Sequence, residues 1–384
     1  MTKIYKLDNQ IKNYEWGSSH LIPQFLGMKN YKKIPYAEMW MGTHGGAPSQ
    51  IEPDLNESKS NIKYLNEISG ELPFLFKLIA VEKQLSIQAH PNKEQAVEGY
   101  RQEEEAGLAL NAPRRNYKDA NHKPEILCAL SPFTLLAGLR DYEQIKKSLE
   151  SFILMFPQLK EIINPLIKAV NTDLPAVFFR ILFNMSDLER EYINNLILEK
   201  ENFEANGIIS NEQWNLVKEF ASQYPGDPAV LSPLYLNLMT LKPGEAIYVP
   251  PGILHSYSKG FGVELMAASD NVLRSGLTPK YIDIPQLMSI LNYKPYRPEI
   301  KTPDSSSWFC YQTPCSEFTL ALMRTSGENV FPAKGPAICI VTEGELSAGG
   351  AEIKKGESFF IPAGDESVTL KGNFSLFAAI TAAV

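Results

Sequence analysis

The amino-acid sequence predicts a mainly β protein interrupted by an all-helical insertion, and three observations carry that prediction. Short runs alternate apolar with polar residues on both sides of a middle segment, whose apolar residues instead recur every three or four positions. A twelve-residue unit occurs twice, LKPGEAIYVPPG at 241–252 and IKKGESFFIPAG at 353–364. At 384 residues the chain exceeds one compact core, so two or three domains are expected.

Residues 71–90, ELPFLFKLIAVEKQLSIQAH, read as two strands joined by a polar turn at Glu82 to Gln84. Residues 91–120 are polar and rich in Ala and Glu, as in helix and loop, and HKPEILCALSPFTLLAG at 122–138 returns to strand-like runs. The period then changes. Leu149, Phe152, Ile153 and Phe156 recur at helical spacing, as do Leu159, Ile162, Ile163, Leu166 and Ile167. Ser186 with Glu189, and Ser210 with Gln213, have the spacing of capping boxes, in which each side chain satisfies a free amide of the first helical turn. Trp214, Val217, Phe220 and Ala221 add a further apolar stripe.

Strands resume near residue 235, and there the repeat begins. Its copies share Lys, Gly, Glu, Pro and a final Gly at equal spacing, each reading as a Gly-Glu turn, an apolar strand and a Pro/Gly turn. That is the unit of double-sheet jelly rolls such as cupins. The expected architecture is therefore two cupin-like double-sheet jelly rolls plus an all-α domain. A site-bearing β domain would take 1–138 and 235–295, a helical insertion 139–234, and a C-terminal β domain 296–384. The first copy runs into His255 and the second has no His, so only the first can carry a His-liganded metal.

Composition narrows the partners. A net charge of -7 argues against general nucleic-acid binding, which needs a basic face to displace counterions, but leaves room for a local cationic cluster around a small anion. No apolar run reaches signal-peptide or membrane-span length, so no membrane partner is expected and the expected location is cytoplasmic. Cys128, Cys310, Cys315 and Cys339 form no CxxC pair and read as small buried residues, without a disulfide or thiolate metal site.

Strand parity sorts the polar residues. In LSIQAH, Ser86, Gln88 and His90 share one face; in HKPEILCAL, Lys123 and Glu125 share a face that His122 does not. His255 pairs with Tyr257, and Glu264 with Met266. Alternation alone also fits a solvated sheet face, but two His, a Glu and an amide oxygen suffice for a divalent site, and such N/O ligation suits zinc with an open position. Lys77 stands inside the apolar run PFLFKLIA, where burial would be costly without an anionic partner.

The stretches PFLFKLIAVEKQLSIQAHPNK (73–93), YKDANHKPEILCAL (117–130) and PPGILHSYSKGFGVELMAASDNVLRSGLTPKYID (250–283) resemble the three signatures of the type I mannose-6-phosphate isomerase family. NYEWG (13–17) and AEMWMGTH (37–44) are further family-like stretches, so the resemblance runs to about residue 285. It implies an aldose–ketose isomerase interconverting mannose 6-phosphate and fructose 6-phosphate through an enediol, with one zinc ion per chain. The implied metal ligands are Gln88, His90, Glu125 and His255. Arg274 falls on the family's active-site Arg, while Glu264, Asp270 and Lys123 are the other implied catalytic candidates. Lys77, Ser86, Tyr257 and Lys280 fall on positions around the substrate, a small sugar phosphate taken up by a monomer. Where the family tends to read A-Y-L-S-G after the third-signature His, this chain has Ser256-Tyr257-Ser258-Lys259-Gly260, which changes loop shape and no ligand.

Two other functions fit the ligand chemistry: a cupin oxygenase with iron or manganese, and a non-catalytic sugar-phosphate sensor. Of the remaining residues, His20 and His44 are expected in surface or structural roles. Lys118 and the Arg114–Arg115 pair are expected as exposed charge, and Trp16 and Trp40 as buried packing.

Overall fold

A computed structural model describes residues 3–53, 63–171, 175–201, 203, 207–332, 335–364 and 367–381. Strands β1 (Tyr5–Asp8), β2 (Gln10–Lys12), β3 (Glu38–Gly42), β4 (Gln50–Ile51), β5 (Phe74–Val81) and β6 (Ile87–Ala89) precede the helix Lys93–Glu105. After β7 (Glu125–Ala129) and β8 (Phe133–Leu139) comes a run of helices. It ends at β9 (Leu236–Leu241), followed by β10 (Ala246–Val249), β11 (His255–Ala267) and β12 (Leu273–Gly276). The last six are β13 (Trp308–Tyr311), β14 (Thr319–Val330), β15 (Ala337–Ala348), β16 (Ala351–Lys354), β17 (Ser358–Ile361) and β18 (Thr369–Ile380).

These strands form two antiparallel sheets, one of ten strands and one of eight. With the helices Lys93–Glu105 and Ile284–Ile290 and the run of helices between β8 and β9 as well, the protein is a mixed sheet-and-helix structure rather than a mainly β one. The smaller sheet recruits β1 and β4 from the N-terminal region: Tyr5 pairs with Phe360 and Leu7 with Ile51. Apolar side chains from both sheets, among them Phe74, Phe76, Leu78, Ile126, Val263 and Leu265 facing Tyr311, Leu320, Ile338 and Phe377, form the core between them.

The helical stripes close a second core. Phe152, Ile163, Phe179, Trp214, Val217 and Phe220 are buried together, and the cluster continues into Ile87 and Ala89 of β6 and Leu273 of β12. Both expected capping boxes form, Ser186 accepting from the Glu189 amide and Ser210 from the Gln213 amide. The helices thus hold the back of the strand whose front bears Gln88.

The sequence repeat is structural down to its hydrogen bonds. Gly244 and Gly356 take φ of 87° and 88°, a region L side chains rarely adopt. In each copy the second residue's N–H meets the following Glu carboxylate at 2.8 Å: Lys242 with Glu245, and Lys354 with Glu357. The ends diverge, because a Cβ on Gly252 would lie 2.9 Å from the Ile290 carbonyl while Gly364 meets nothing.

Candidate metal centre and its pocket

The site follows from which face each strand buries. On β5, Phe74, Phe76, Leu78 and Ala80 enter the core between the sheets, which turns Lys77 to the other side. Ile126 and Cys128 do the same for Glu125 on β7, and Val263 and Leu265 for Glu264 on β11. Register completes the set. Glu264 stands opposite Lys77, Gln88 opposite His255 on one flank and opposite Arg274 on the other.

His90, Glu125 and His255 converge, with ligand atoms all within 4.8 Å of one another, and all three residues are buried. His90 Nε2 lies 3.4 Å from Glu125 Oε1, and His255 Nε2 lies 3.2 Å from Glu125 Oε2. Each imidazole donates its other nitrogen to a backbone carbonyl: His90 Nδ1 to Asn271 at 2.7 Å and His255 Nδ1 to Ile253 at 2.9 Å. The tautomers so assigned leave both Nε2 atoms as lone-pair acceptors, and neither these nor Glu125 Oε2 has a hydrogen-bond partner. Buried acceptors aimed at one another are unfavourable by themselves and fit a cation between them. Two imidazoles, a carboxylate and the Gln88 amide suit zinc.

Electrostatics agrees. Burial and the charge of Lys123 push the His90 imidazole down to about 4, so it is neutral and free to ligate. Burial opposes the Glu125 charge, but Lys123 at 3.1 Å outweighs it and holds the carboxyl well below its ordinary range.

Beside the metal centre lies a second buried network. Lys77 Nζ is 3.0 Å from Glu264 and 3.4 Å from Glu38, whose carboxylate also accepts from the Trp40 indole at 2.7 Å. These are the anions that a buried Lys77 required. Burial pushes the Glu264 carboxyl above its ordinary range although Lys77 opposes it. Lys77, Glu38 and Glu264 line one cavity of about 230 Å³ together with Gln88 and Glu125, whereas His90 and His255 are not among its lining residues. A cleft of about 330 Å³ between the sheets, at Phe25, Phe261 and Phe377, carries none of the ligating groups.

Lys77, Gln88, Lys123, Glu125, Tyr257, Glu264, Asp270 and Arg274 all line the cavity. The Arg274 guanidinium has no hydrogen-bond or ion-pair partner among the described residues. Ser86 and Lys280 are not among the lining residues. The alternation expected over LSIQAH holds only from Ile87, because the Leu85 N–H bonds the Tyr257 carbonyl before β6 begins and turns Leu85, rather than Ser86, to the cavity. Lys280 is exposed, its ammonium held below its ordinary range by partial burial, Arg274 and Lys118.

Other expectations change as well. β7 begins at Glu125, so His122 and Lys123 lie before the strand; Lys123 still faces Glu125, while His122 contacts Glu317. Arg115 is buried against Glu103 and Glu104, not exposed, whereas Arg114 and Lys118 are exposed as expected, Lys118 at the cavity. Trp40 is buried against Ala47, Leu75 and Met266 as expected and lines the cavity as well, and His44 meets Asp270 at 3.3 Å. Glu38 and Asn271 went unread. Glu38 alternates with Trp40 in EMW, the parity signal for a partner to Lys77, and Asn271 lies in the SDN stretch beside His90.

Comparison with known proteins gives one consistent result. A family model described as phosphomannose isomerase type I, catalytic domain, matches residues 4–142. The mannose-6-phosphate isomerase of Escherichia coli (strain K12) is 33% identical, over 96% of this chain and 97% of its own length. That of Homo sapiens is 32% identical, over 96% and 95%. The crystal structure of mannose 6-phosphate isomerase from Salmonella typhimurium, bound to its substrate and a zinc atom, superposes with a TM-score of 0.87 at 31% identity, covering 99% of this chain and 100% of that one.

Proposed function

The chain belongs to the type I mannose-6-phosphate isomerase family, and on that premise we propose that it interconverts mannose 6-phosphate and fructose 6-phosphate as a zinc-dependent aldose–ketose isomerase. The observation that carries the reading is the convergence of three partnerless buried acceptors, on His90, Glu125 and His255, where Glu125 lines the cavity that also holds the Lys77–Glu264 pair. Gln88, His90, Glu125 and His255 would hold the zinc, which when bound acts as a Lewis acid on the sugar's oxygens.

The remaining work falls to side chains. Moving a proton between the first two sugar carbons through an enediol needs an acid–base group and charge to stabilise the developing oxyanion. Glu264 suits the proton transfer, since its raised carboxyl is closer to neutrality than an ordinary one. Arg274, with a free planar fork, suits the oxyanion. Lys123 keeps Glu125 ionised, and Asp270, held at about 2, offers an ionised acceptor for sugar hydroxyls. Lys118, at the cavity, and the neighbouring Lys280 form the cationic side on which a phosphate would rest.

The finer architecture is read in the same way: cupin-like jelly rolls, with 1–138 and 235–295 as the catalytic β domain, 139–234 as an all-α domain and 296–384 as a second β domain that borrows β1 and β4. A cytoplasmic monomer is the accompanying proposal, and no helix of the described residues is long and apolar enough to cross a membrane. The near-full-length likeness to isomerases leaves the oxygenase and sensor alternatives without support. A coupled assay converting mannose 6-phosphate to fructose 6-phosphate, with and without chelator, tests the function. No conversion by zinc-loaded protein would refute it.

A further inference from the structure

His44, on the turn after β3, is a histidine beside the cavity that the chemistry above leaves unused. Its imidazole is held on three sides. The Gly46 N–H donates to Nδ1 at 3.1 Å, the ring meets the Trp40 ring edge-on at 5.0 Å, and Nε2 lies 3.3 Å from Asp270 Oδ2. Because a backbone N–H occupies Nδ1, the neutral ring must carry its proton on Nε2, where it donates to Asp270. The Asp270 backbone is fixed in turn, its N–H donating to Asp119 Oδ2 at 2.8 Å. The arrangement also joins Asp270 to the core of the site, through Trp40 to Glu38 and from Glu38 to Lys77.

We propose that His44 is a positioning residue, whose Nε2–H holds the Asp270 carboxylate aimed into the cavity to accept hydroxyl hydrogens of the sugar. The proposal rests on the isomerase reading for its substrate and on the geometry of His44 for its mechanism. The groups facing Asp270 are His44, Lys118 and Lys123, which favour its ionised form, and Asp119 and Tyr14, which do not add positive charge. With the His44 hydrogen bond the carboxyl sits at about 2. Without it the ionised form loses its principal donor, so protonation moves to higher pH.

The test is steady-state kinetics at neutral pH on zinc-loaded enzyme for wild type, His44→Ala and His44→Gln. The alanine variant is expected to keep its zinc and to raise KM roughly tenfold, the usual effect of losing one hydrogen bond to a charged group, while kcat falls less. Glutamine, which restores a donor near Nε2, is expected to bring KM back towards wild type. An unchanged KM, or glutamine behaving as alanine does, would overturn the proposal. ¹⁵N NMR of the wild-type imidazole, with Asp270→Asn as control, reads the dyad independently of turnover. A proton on Nδ1 would overturn the proposal even if alanine does not fold. Absent turnover in wild type with the Nε2–H tautomer intact would instead remove the isomerase reading and leave the dyad standing.

Discussion

Lys77 on β5 and Glu264 on β11 are register partners, and their buried side chains meet at 3.0 Å inside the cavity. A buried ion pair adds little net stability over an apolar pair, but removing one partner strands the other. Lys77→Ala, which leaves Glu264 and Glu38 buried without their cation, is expected to cost about 3–5 kcal/mol. Adding Glu264→Gln to Lys77→Ala should recover part of that loss. Urea denaturation of the single and double variants measures it, and a single variant as stable as wild type would contradict the pairing.

Metal removal should abolish activity and leave most of the fold, because the sheets and helices have their own apolar cores. Chelated protein is expected to keep its far-UV circular dichroism, melt a few degrees lower and regain activity with zinc. His90→Ala and His255→Ala should lose zinc, whereas His122→Ala should keep it, since His122 contacts Glu317 instead of the centre. Metal analysis decides, and equal loss in all three variants would refute the assignment.

Arg274→Ala should leave zinc bound and the protein folded while lowering turnover by ~10²–10³, the usual effect of deleting one preorganised charge donor. Arg274→Lys should recover only part, because an ammonium lacks the planar fork. Steady-state kinetics separates the roles. A large rise in KM at unchanged kcat would move Arg274 from the oxyanion to phosphate binding.

The four cysteines should be slow toward thiol reagents at neutral pH in the native state. Burial pushes Cys128 and Cys315 up to about 12, and Cys310 and Cys339 also lie above the ordinary thiol range, so little thiolate is present. All four are free. Ellman titration should find four thiols after denaturation and almost none react quickly before it. Cys128 and Cys339 are buried while Cys310 and Cys315, expected as buried, are only partly so, and a fast native reaction at Cys128 or Cys339 would contradict their burial.

Three of the candidate metal ligands were legible from local chemistry, and Glu125 only through the family resemblance. Within six residues LSIQAH sets Gln88 and His90 on one face, and a repeat with a His in only one copy singles out His255. The helical stripes and capping boxes were legible for the same reason: 3.6-residue periodicity and cap spacing need no distant partner. The partners of Lys77 were not. Its burial demanded an anion, but Glu38 and Glu264 lie 39 and 187 residues away, and only strand register brings them there.

Parity itself fails where the strand breaks step. His255 and Tyr257 are odd-numbered, Glu264 and Met266 even-numbered, so an unbroken β11 would send them to opposite faces. The register with β8 slips between Tyr257 and Lys259, and Gly260 follows at φ 146° against Phe133, leaving no room for a Cβ. One extra residue reverses the alternation and brings both halves of the strand to one cavity. The sequence by itself determined the ligand types and the segments that carry them, because composition and short-range alternation are written in neighbouring residues. The tertiary structure alone decided that these segments share a site, because a bulge and the pairing of distant strands are settled by the packing of the whole sheet.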